Sequence, residues 1–276
     1  MAVALIDRRL LAIGMSAGSS IDGLEAGWIE FMTGFRILPK SCEVCGAGAV
    51  GDSIPSVFYV SPFSVLQRQP GESAFPWMEV NGERGTVRHL LGVDSSEAPP
   101  RSLWFNVALL CLLLRGGLLI HSAGAEISGK GFLFLGESGI GKSTFSGLLE
   151  EYLPESVVCD ERVSCRPVEG GWIMSGTPWF SSAEISRRRT APLAGLVFLE
   201  QSKENNIRQI TSAEALPRML PLISVDWQNK ELSDRGINAL DDLLSSVPAF
   251  NFSFQKSSSA AEYFAEWVNT SENLLC

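Results

Sequence analysis

Four residues at a fixed spacing carry the clearest chemical signal in this sequence. Gly136, Gly141, Lys142 and Ser143 match the pattern G-x-x-x-x-G-K-[ST]. Glycines allow successive backbone N–H groups to turn inward around phosphate oxygens. The lysine adds a positive charge for the outer phosphates, and the serine hydroxyl is suited to bind Mg²⁺. The predicted phosphate-binding loop comprises Gly136, Glu137, Ser138, Gly139, Ile140, Gly141, Lys142, Ser143 and Thr144.

Regular structure on both sides must hold this loop in place. Residues 131–135 predict a short buried strand, and residues 142–151 predict a helix because Phe145, Leu148 and Leu149 recur at helical spacing. Such a helix points the positive end of its dipole at a bound phosphate. An ordinary glycine-rich turn explains the glycines but not the Lys-Ser pair, so we favour phosphate binding.

A phosphate loop also needs an acidic partner at the end of a nearby strand, and the sequence offers two. Asp160 and Glu161 follow a predicted strand at residues 156–159, and Glu200 ends a predicted strand at residues 195–200. Most phosphate-loop proteins place this acid further along the chain, which favours Glu200. The adjacent pair favours Asp160, because one carboxylate can hold Mg²⁺ while the other takes a proton from an attacking hydroxyl.

His121 is a further candidate. Residues 117–121 predict a strand, and the short turn at residues 128–131 predicts that it forms an antiparallel hairpin with residues 132–135. That pairing would bring His121 beside the γ-phosphate. A single histidine is more often structural than catalytic, so both interpretations stay open.

The charge balance limits the partners of the chain. Of 276 residues, 45% are hydrophobic and 19% are charged, and the formal net charge is −9. This balance argues against nucleic acid as a partner, because a broad nucleic-acid surface needs a clustered basic face. The one dense basic run, Arg187 to Arg189, is either a solvated loop or a source of a further cation for the transferring phosphate.

Cysteines and apolar runs favour a cytoplasmic location without a membrane partner. The six cysteines are scattered, and Cys42 and Cys45 lack the second pair that a zinc site would need, so reduced thiols are the simplest interpretation. The start of the chain lacks the order of a signal peptide. Residues 103–120 are apolar but contain Asn106 and Arg115, and fall short of the roughly 20 residues that span a bilayer.

A Pro-containing linker at residues 95–100 divides the chain into two predicted domains. Residues 1–100 form a small, mostly β domain with short strands at 57–60, 64–67, 77–80 and 86–91. Residues 101–276 form an α/β phosphate-loop domain. Its other predicted elements are a helix at 103–114, a hairpin of 163–168 and 172–174, helical structure at 212–246 broken near Pro217 and Pro221, a strand at 250–254 and a helix at 260–268.

Several stretches in order resemble the HPr kinase/phosphorylase superfamily, most closely its HPr-kinase-like relatives. They are residues 117–124 (GLLIHSAG), the phosphate loop, 158–162 (VCDER), 176–179 (GTPW) and 189–201 (RTAPLAGLVFLEQ). The resemblance covers about residues 100–255 and implies a phosphate-loop kinase core of the HPr kinase/PEP carboxykinase type with a mixed sheet. The resemblance implies that Asp160, rather than Glu200, is the catalytic acid, and that His121 lies near this acid and tunes it. It also implies a homo-oligomer, because family members often assemble into symmetric rings.

Departures from the family pattern concern the acceptor. Glu161 stands where the family usually has a second aspartate, and residues 180–182 (FSS) follow GTPW where many relatives have His-Gly. The first hundred residues do not resemble the N-terminal domain of true HPr kinases, which argues against HPr as the substrate.

The combined prediction is an ATP- and Mg²⁺-dependent kinase that acts on a serine-type hydroxyl of a peptide, a protein or a free amino acid. Its predicted catalytic residues are Asp160, His121 and Lys142, and its predicted metal ligands are Ser143, Asp160 and Glu161. One alternative is a nucleotide-binding regulatory or peptide-recognition module with little turnover. Residues 14–31 also resemble the first phosphate-loop hairpin of the actin-like anhydro-N-acetylmuramic acid kinases, although a Gly/Ser-rich hairpin explains them more simply.

Overall fold

The computed structural model describes residues 112–271 except 180, 182, 228 and 229, together with residues 105, 108 and 109 and five short strands nearer the N-terminus. The chain divides into two compact units, Met1–Arg115 and Gly116–Cys276. The boundary predicted at residue 100 stays a prediction, because residues 91–104 lie outside the described part.

Antiparallel strands make up most of what is described of the first unit. They are β1 (Val3–Ala4), β2 (Val57–Ser61), β3 (Ser64–Gln67), β4 (Trp77–Asn81) and β5 (Thr86–Leu90). Strand β5 lies between β1 and β4, and β2 pairs with β3. The four strands predicted between residues 57 and 91 are confirmed. Residues 14–31, Cys42, Cys45 and the linker at 95–100 lie outside the described residues.

The second unit is of mixed α/β class, as predicted. Its strands are β6 (Leu118–His121), β7 (Ala123–Ile127), β8 (Lys130–Leu135), β9 (Val157–Cys159), β10 (Arg162–Val168), β11 (Gly171–Ser175), β12 (Thr190–Gln201), β13 (Asn206–Ile210), β14 (Ile223–Ser224) and β15 (Ala249–Phe254). Its helices are α1 (Lys142–Tyr152), α2 (Ser212–Met219), α3 (Lys230–Ser246) and α4 (Ser258–Thr270).

These strands form one mixed sheet. The order is β14-β6-β10-β11-β12-β8-β7-β9, with β15 beside β12 and β13 beside β15. The long strand β12 joins the two halves, because its first residues pair antiparallel with β11 and its later residues pair in parallel with β8 and β15. The ends of β8, β12 and β15 therefore meet at one edge, the place where α/β sheets commonly bind ligands.

Two antiparallel segments, β6–β7 and β9–β10, run side by side between the two halves of the sheet and contain the candidate residues; we call them the ribbon. Strand β6 pairs antiparallel with β10, and β7 continues this pairing with β9. His121 lies opposite Arg162 at the end of β6, and Ser122 follows it at the junction between the halves. Asp160 and Glu161 form the same junction on the other strand, which brings them next to His121 although they are far apart in sequence.

The predicted hairpin is wrong in one of its strands. Strand β8 pairs with β7, whereas the predicted partner, β6, pairs with β10 and β14. Ser128 and Gly129 join β7 to β8 and have φ values of 52° and 77°, as in the tight turns whose twist suits a hairpin. Residues 123–127 (AGAEI) contain few strand-favouring residues, so the sequence pattern does not reveal β7.

One face of the parallel strands packs against α1 and α4 through phenylalanines. The ring of Phe145 on α1 lies 4.8 to 5.7 Å from the rings of Phe134, Phe252, Phe254 and Phe264 in edge-to-face arrangements. All five side chains are fully buried. Such pairs contribute about 0.5–1.5 kcal/mol each beyond the burial of their area. They fix the first turn of α1, and with it the end of the preceding loop.

The other face of these strands carries α2. The guanidinium of Arg218 lies 4.2 Å from the centre of the Phe198 ring, on the face opposite the phenylalanine cluster because side chains alternate along a strand. The helical structure predicted over residues 212–246 is confirmed as α2 and α3. The break lies between them and contains β14, while Pro217 lies inside α2. Within the described part of the chain, no helix combines the length and apolar character needed to cross a membrane.

Candidate functional site

The loop between β8 and α1 requires glycine at three positions. Gly136, Gly139 and Gly141 have φ values of 147°, 84° and 112°, a region that residues with side chains rarely adopt. A Cβ on Gly136 would lie 2.8 Å from Ile140 Cγ2, and one on Gly141 would lie 2.9 Å from Phe254 Cζ. Backbone geometry and close packing thus both explain the glycines of the sequence pattern.

The ends of the neighbouring strands support this loop. Gln201, the last residue of β12, donates from Nε2 to the Ile140 carbonyl at 2.9 Å and to the Gly139 carbonyl at 3.4 Å. The ring of Phe254, the last residue of β15, lies against Gly141. The loop is therefore held at the shared edge of the parallel strands.

The first turn of α1 provides an N-terminal helix end suited to an anion. Its N-cap is Gly141, which has no side chain to accept the first N–H groups, and the first turn contains no acidic residue. Ser143 and Thr144 are exposed in this turn. The N-terminus of α1 therefore directs both its unpaired backbone N–H groups and the positive end of its dipole toward the space beside the glycine-rich loop.

Lys142 folds back over the loop. Its Nζ donates to the Gly136 carbonyl at 2.7 Å and to the Glu137 carbonyl at 3.2 Å, and the residue is 8% exposed. Burial lowers the pKa of Lys142, and the negative charge of Glu161 acts in the opposite direction. The ammonium group thus bonds the loop carbonyls and also interacts electrostatically with an acidic residue of the ribbon.

His121 and Glu161 form a close pair beside Lys142. His121 Nδ1 lies 3.4 Å from Glu161 Oε1, and both side chains are 30% exposed. Burial lowers the pKa of His121, Lys142 lowers it further, and Glu161 partly opposes this shift. The imidazole is therefore neutral at pH 7, and among the described residues its buried Nδ1 has no partner at normal hydrogen-bond distance.

The predicted site residues thus come together by a route different from the predicted one. His121 reaches Lys142 because β6 pairs with β10 in the ribbon, and not because β6 pairs with β8. Glu161, rather than its neighbour Asp160, carries the carboxylate that acts on Lys142. The roles of these residues stay predictions.

Asp160 is buried and faces a different part of the chain. It is 2% exposed. Its Oδ1 accepts the Ser181 N–H at 3.0 Å, and its Oδ2 accepts the Ser181 hydroxyl at 2.6 Å and the Ala183 N–H at 3.2 Å. Both carboxylate oxygens therefore bind Ser181 and Ala183, which follow the GTPW stretch of residues 176–179.

Glu200, the rival acid, lies on the other face of the sheet. It accepts from Asn251 Nδ2 at 2.9 Å, and Asn251 Oδ1 in turn accepts from Arg218 at 3.1 Å. Its neighbour Gln201 points to the opposite face and supports the phosphate loop. The alternation of side chains along β12 therefore separates Glu200 from Lys142.

Two of the three arginines in the basic run bind carboxylates at the far end of α1. Arg187 donates to both carboxylate oxygens of Glu150 at 2.6 and 3.1 Å. Arg189 lies 3.7 Å from Glu126 and from Glu155 and donates to the Glu155 carbonyl at 2.7 Å. These contacts argue against either arginine as the further cation at the phosphate loop.

The structure adds three residues to the site that sequence reasoning missed. Gln201 supports the loop, Ser181 binds Asp160, and Arg162 acts electrostatically on His121 while donating to the Ser224 hydroxyl at 2.9 Å. Arg162 directly follows the acidic pair and could have been suspected as a site cation from its position. The other two are brought in by long-range packing and carry no local signal.

The oxygen ligands available suit Mg²⁺ bound jointly with phosphates. In the residues that the structure describes, no cluster of three or more His, Cys, Asp or Glu side chains is arranged to hold a metal. Magnesium at phosphate sites typically takes only one or two protein oxygens and completes its shell with phosphates and water. Ser143 in the exposed first turn of α1 and Glu161 beside Lys142 offer such oxygens, whereas the carboxylate of Asp160 is already bound on both oxygens.

Comparisons with known proteins give only a distant similarity. No protein-family model and no curated protein matches this chain. Among solved structures, the Hpr(Ser) kinase/phosphatase from Coxiella burnetii is similar, with 14% sequence identity and a TM-score of 0.33. The match covers 55% of this chain and 93% of that chain. Similarity at this level assigns neither a family nor an activity.

Proposed function

We propose that this protein is an ATP- and Mg²⁺-dependent kinase that transfers the γ-phosphate to a serine-type hydroxyl of a peptide, a protein or a free amino acid. The observation that carries the proposal is the position of Lys142. Its ammonium group bonds the carbonyls of the glycine-rich loop and lies within electrostatic reach of Glu161 and His121. The closeness of the glycine-rich loop and Lys142 to a histidine–glutamate pair supports binding of a phosphate beside groups that can exchange protons.

In this proposal the loop and the start of α1 bind the triphosphate. The N–H groups of Gly136 to Thr144 surround the phosphate oxygens, and the uncapped N-terminus of α1 adds a favourable dipole. Lys142 exchanges its carbonyl contacts for phosphate oxygens and stabilises the charge that develops on the transferring group. Since phosphoryl transfer depends mainly on positioning and electrostatics, a rigid loop is an advantage.

Ser143 and Glu161 are the groups proposed to hold Mg²⁺. When bound, the metal neutralises charge on the β- and γ-phosphates. His121 Nδ1 lies 3.4 Å from Glu161 Oε1, so under the proposal a small movement lets the imidazole donate to that carboxylate and orient it. The arrangement keeps Glu161 available as a ligand without making it part of a strong ion pair.

Asp160 is proposed to accept the proton of the acceptor hydroxyl. Its carboxylate already accepts a serine hydroxyl in this structure, at 2.6 Å from Ser181 Oγ. Asp160 directly precedes Glu161 at the ribbon junction, and under the proposal an acceptor hydroxyl takes the place of the Ser181 hydroxyl on its carboxylate. A positioned base of this kind typically contributes about 10²–10⁴-fold to the rate.

The test is ³¹P NMR of ATP and Mg²⁺ with the full chain and with free L-serine, L-threonine or a pool of serine-containing peptides. Under the proposal, a phosphoester signal grows with the wild type and is lost with Asp160→Asn, which still binds ATP. Glu161→Gln should also lose turnover, whereas the matched variant Glu200→Gln should retain it, because Glu200 lies on the other face of the sheet.

Retention of ATP binding without turnover by the wild type, with every acceptor, would support the regulatory-module alternative. Equal loss of activity in Glu161→Gln and Glu200→Gln would contradict the arrangement proposed here. ATP binding that survives Lys142→Ala unchanged would place the nucleotide elsewhere in the chain.

A further inference from the structure

The GTPW stretch at residues 176–179 contains a buried hydroxyl that bonds the acidic turn, residues 159–162 (CDER). Thr177 is 0% exposed, and its Oγ1 donates to the Arg162 carbonyl at 2.5 Å. The same Oγ1 accepts the N–H of Trp179 at 3.4 Å. Both the proton and a lone pair of this hydroxyl are therefore used within the chain, and one of its two bonds ends on the acidic turn.

The position of the hydroxyl follows from the pairing of β10 with β11. Ser164 lies opposite Ser175 in that pair, so continuing the antiparallel register by two residues on each strand places Arg162 opposite Thr177. Strand β11 ends at Ser175. Beyond that end, the Arg162 carbonyl has the Thr177 hydroxyl as a donor. A side chain thus extends the contact between these strands to the acidic turn.

A second buried side chain, Cys159, joins the same contact. Its Sγ lies 3.0 Å from the Arg162 carbonyl oxygen, 3.2 Å from the Trp179 carbonyl oxygen and 3.7 Å from Thr177 Oγ1. Cys159 and Arg162 are the two ends of the acidic turn. Both ends of the turn are therefore held against the GTPW stretch.

The acidic turn carries the carboxylate that reaches the candidate site. Glu161 Oε1 lies 3.4 Å from His121 Nδ1, and the charge of Glu161 acts on Lys142. The Glu161 carbonyl accepts the Ser122 N–H at 3.2 Å. The backbone of Glu161 is therefore held on one side by the neighbouring strand and, through the carbonyl of the next residue, by Thr177.

We propose that Thr177 is a positioning residue, whose hydroxyl fixes the acidic turn so that the Glu161 carboxylate lies beside His121 and can bind Mg²⁺. The binding of Mg²⁺ rests on the proposed function, whereas the placement of Glu161 beside His121 does not. A threonine suits this role because its branched Cβ restricts χ1 and so limits the directions of the buried hydroxyl. Loss of a group that orients a metal ligand typically weakens metal affinity or activity by about 10- to 100-fold.

The experiment compares the full chain with Thr177→Val, which keeps the shape of the side chain without its hydroxyl, and with Thr177→Ser, which keeps the hydroxyl. Ser175→Ala is the matched control, because Ser175 is also buried, at 3% exposed, and its hydroxyl bonds Thr190 Oγ1 at 2.8 Å. Thermal melts check that each variant folds. Thr177→Ala removes the same hydroxyl if valine is not accommodated.

The first readout is the proton NMR signal of the His121 ring, which needs neither nucleotide nor turnover. Thr177→Val should shift this signal in the same direction as Glu161→Gln, because both changes take a carboxylate away from Nδ1. Thr177→Ser and Ser175→Ala should leave the signal at its wild-type position. When Glu161→Gln is already present, adding Thr177→Val should cause no further shift.

The second readout is the affinity for a non-hydrolysable ATP analogue, measured by isothermal titration calorimetry without Mg²⁺ and over a series of Mg²⁺ concentrations. Without Mg²⁺, Thr177→Val should bind the analogue like the wild type, since the contacts of Lys142 with the loop are unchanged. The Mg²⁺ concentration that half-saturates the complex should rise about 10- to 100-fold. A merely structural role of Thr177 would lower thermal stability without this change in the Mg²⁺ requirement.

A His121 signal that stays at its wild-type position in folded Thr177→Val would overturn the inference, whatever the activity of the protein. An equal shift in Thr177→Ser would also overturn it, because packing of the methyl group would then be responsible. A shifted signal with an unchanged Mg²⁺ requirement would overturn the part that concerns the metal. A shifted signal in a protein that binds no ATP analogue would keep the placement of Glu161 by Thr177 and overturn the kinase proposal.

Discussion

The two ends of helix α1 differ in how completely their polar groups are satisfied. At the C-terminal end, Glu150 accepts both guanidinium hydrogen bonds of Arg187 and the N–H groups of Glu155 and Val157. At the N-terminal end, the N-cap is a glycine, and Lys142 donates to two loop carbonyls, while no carboxylate of the described residues lies within salt-bridge distance of it. The charged groups at the C-terminal end therefore pair with one another, whereas the N-terminal end presents hydrogen-bond donors.

This contrast separates polar groups that are paired within the chain from donors that, under the proposed function, bind phosphate. Cations near a helix C-terminus and anions near its N-terminus are both favourable, because of the helix dipole. Arg187 of the same chain is the cation near the C-terminus of α1, whereas a bound phosphate would be the anion near its N-terminus. The backbone donors without intrahelical partners and the conformational entropy that glycines lose on folding cost stability locally, whereas the buried phenylalanine cluster beneath α1 stabilises the same region.

The largest expected effect is the loss of nucleotide binding on replacing Lys142. Lys142→Ala should weaken binding of a non-hydrolysable ATP analogue with Mg²⁺ by about 100-fold, because two or more charge-assisted hydrogen bonds to phosphate are lost. Thermal unfolding should change little, since the ammonium group bonds only loop carbonyls. Isothermal titration calorimetry and a thermal melt measure the two quantities.

At the C-terminal end of α1, a substitution should lower stability and leave nucleotide affinity unchanged. Arg187→Ala should lower the free energy of unfolding by about 2 kcal/mol, because the partly buried Glu150 loses its bidentate partner. Affinity for the ATP analogue should stay that of the wild type. A loss of nucleotide affinity in this variant comparable to that of Lys142→Ala would erase the distinction between the two ends.

A smaller effect is expected at the support of the loop. Gln201→Ala removes a hydrogen bond of 2.9 Å to the Ile140 carbonyl, worth about 1 kcal/mol, so affinity for the analogue should fall about fivefold. Glu200→Ala is the matched control on the adjacent residue and should leave the affinity unchanged, since Glu200 bonds Asn251 on the other face. Equal affinities in the two variants would show that Gln201 does not position the loop.

The smallest effects concern the protonation of His121. Its pKa should lie below the usual 6.5, because of burial and the charge of Lys142. Below pH 6.5 the unfolded chain therefore binds this proton more readily than the folded chain, and the wild type should lose stability relative to His121→Gln as the pH falls.

Proton NMR can follow this titration because the chain contains only two histidines. Lys142→Ala should raise the midpoint of His121, and Glu161→Gln should lower it, since Lys142 lowers and Glu161 raises the pKa of the wild type. A midpoint that is the same in all three proteins would remove His121 from the charge cluster at the N-terminal end of α1.

Local patterns were sufficient for the phosphate loop and its flanking elements. The predicted strand at 131–135 and helix at 142–151 lie within β8 and α1, because the apolar spacing and the glycines act over a few residues. The predicted strand ending at His121 exists as β6, but its partner was wrong. Pairing between strands depends on long-range packing, and neither β7 (AGAEI) nor β13 (NIRQI) has a strong local strand signal.

Residue types and spacing were enough to identify the residues that could bind phosphate: three glycines that tolerate positive φ, followed by Lys142 at the start of a helix. They also identified two acids in one short turn. The difference between these acids arises from long-range contacts, because the ribbon brings Glu161 close to His121, whereas Ser181 and Ala183 bury Asp160. Adjacent residues near strand ends point in different directions, and their partners come from chain segments about twenty or more residues away, which no local pattern encodes.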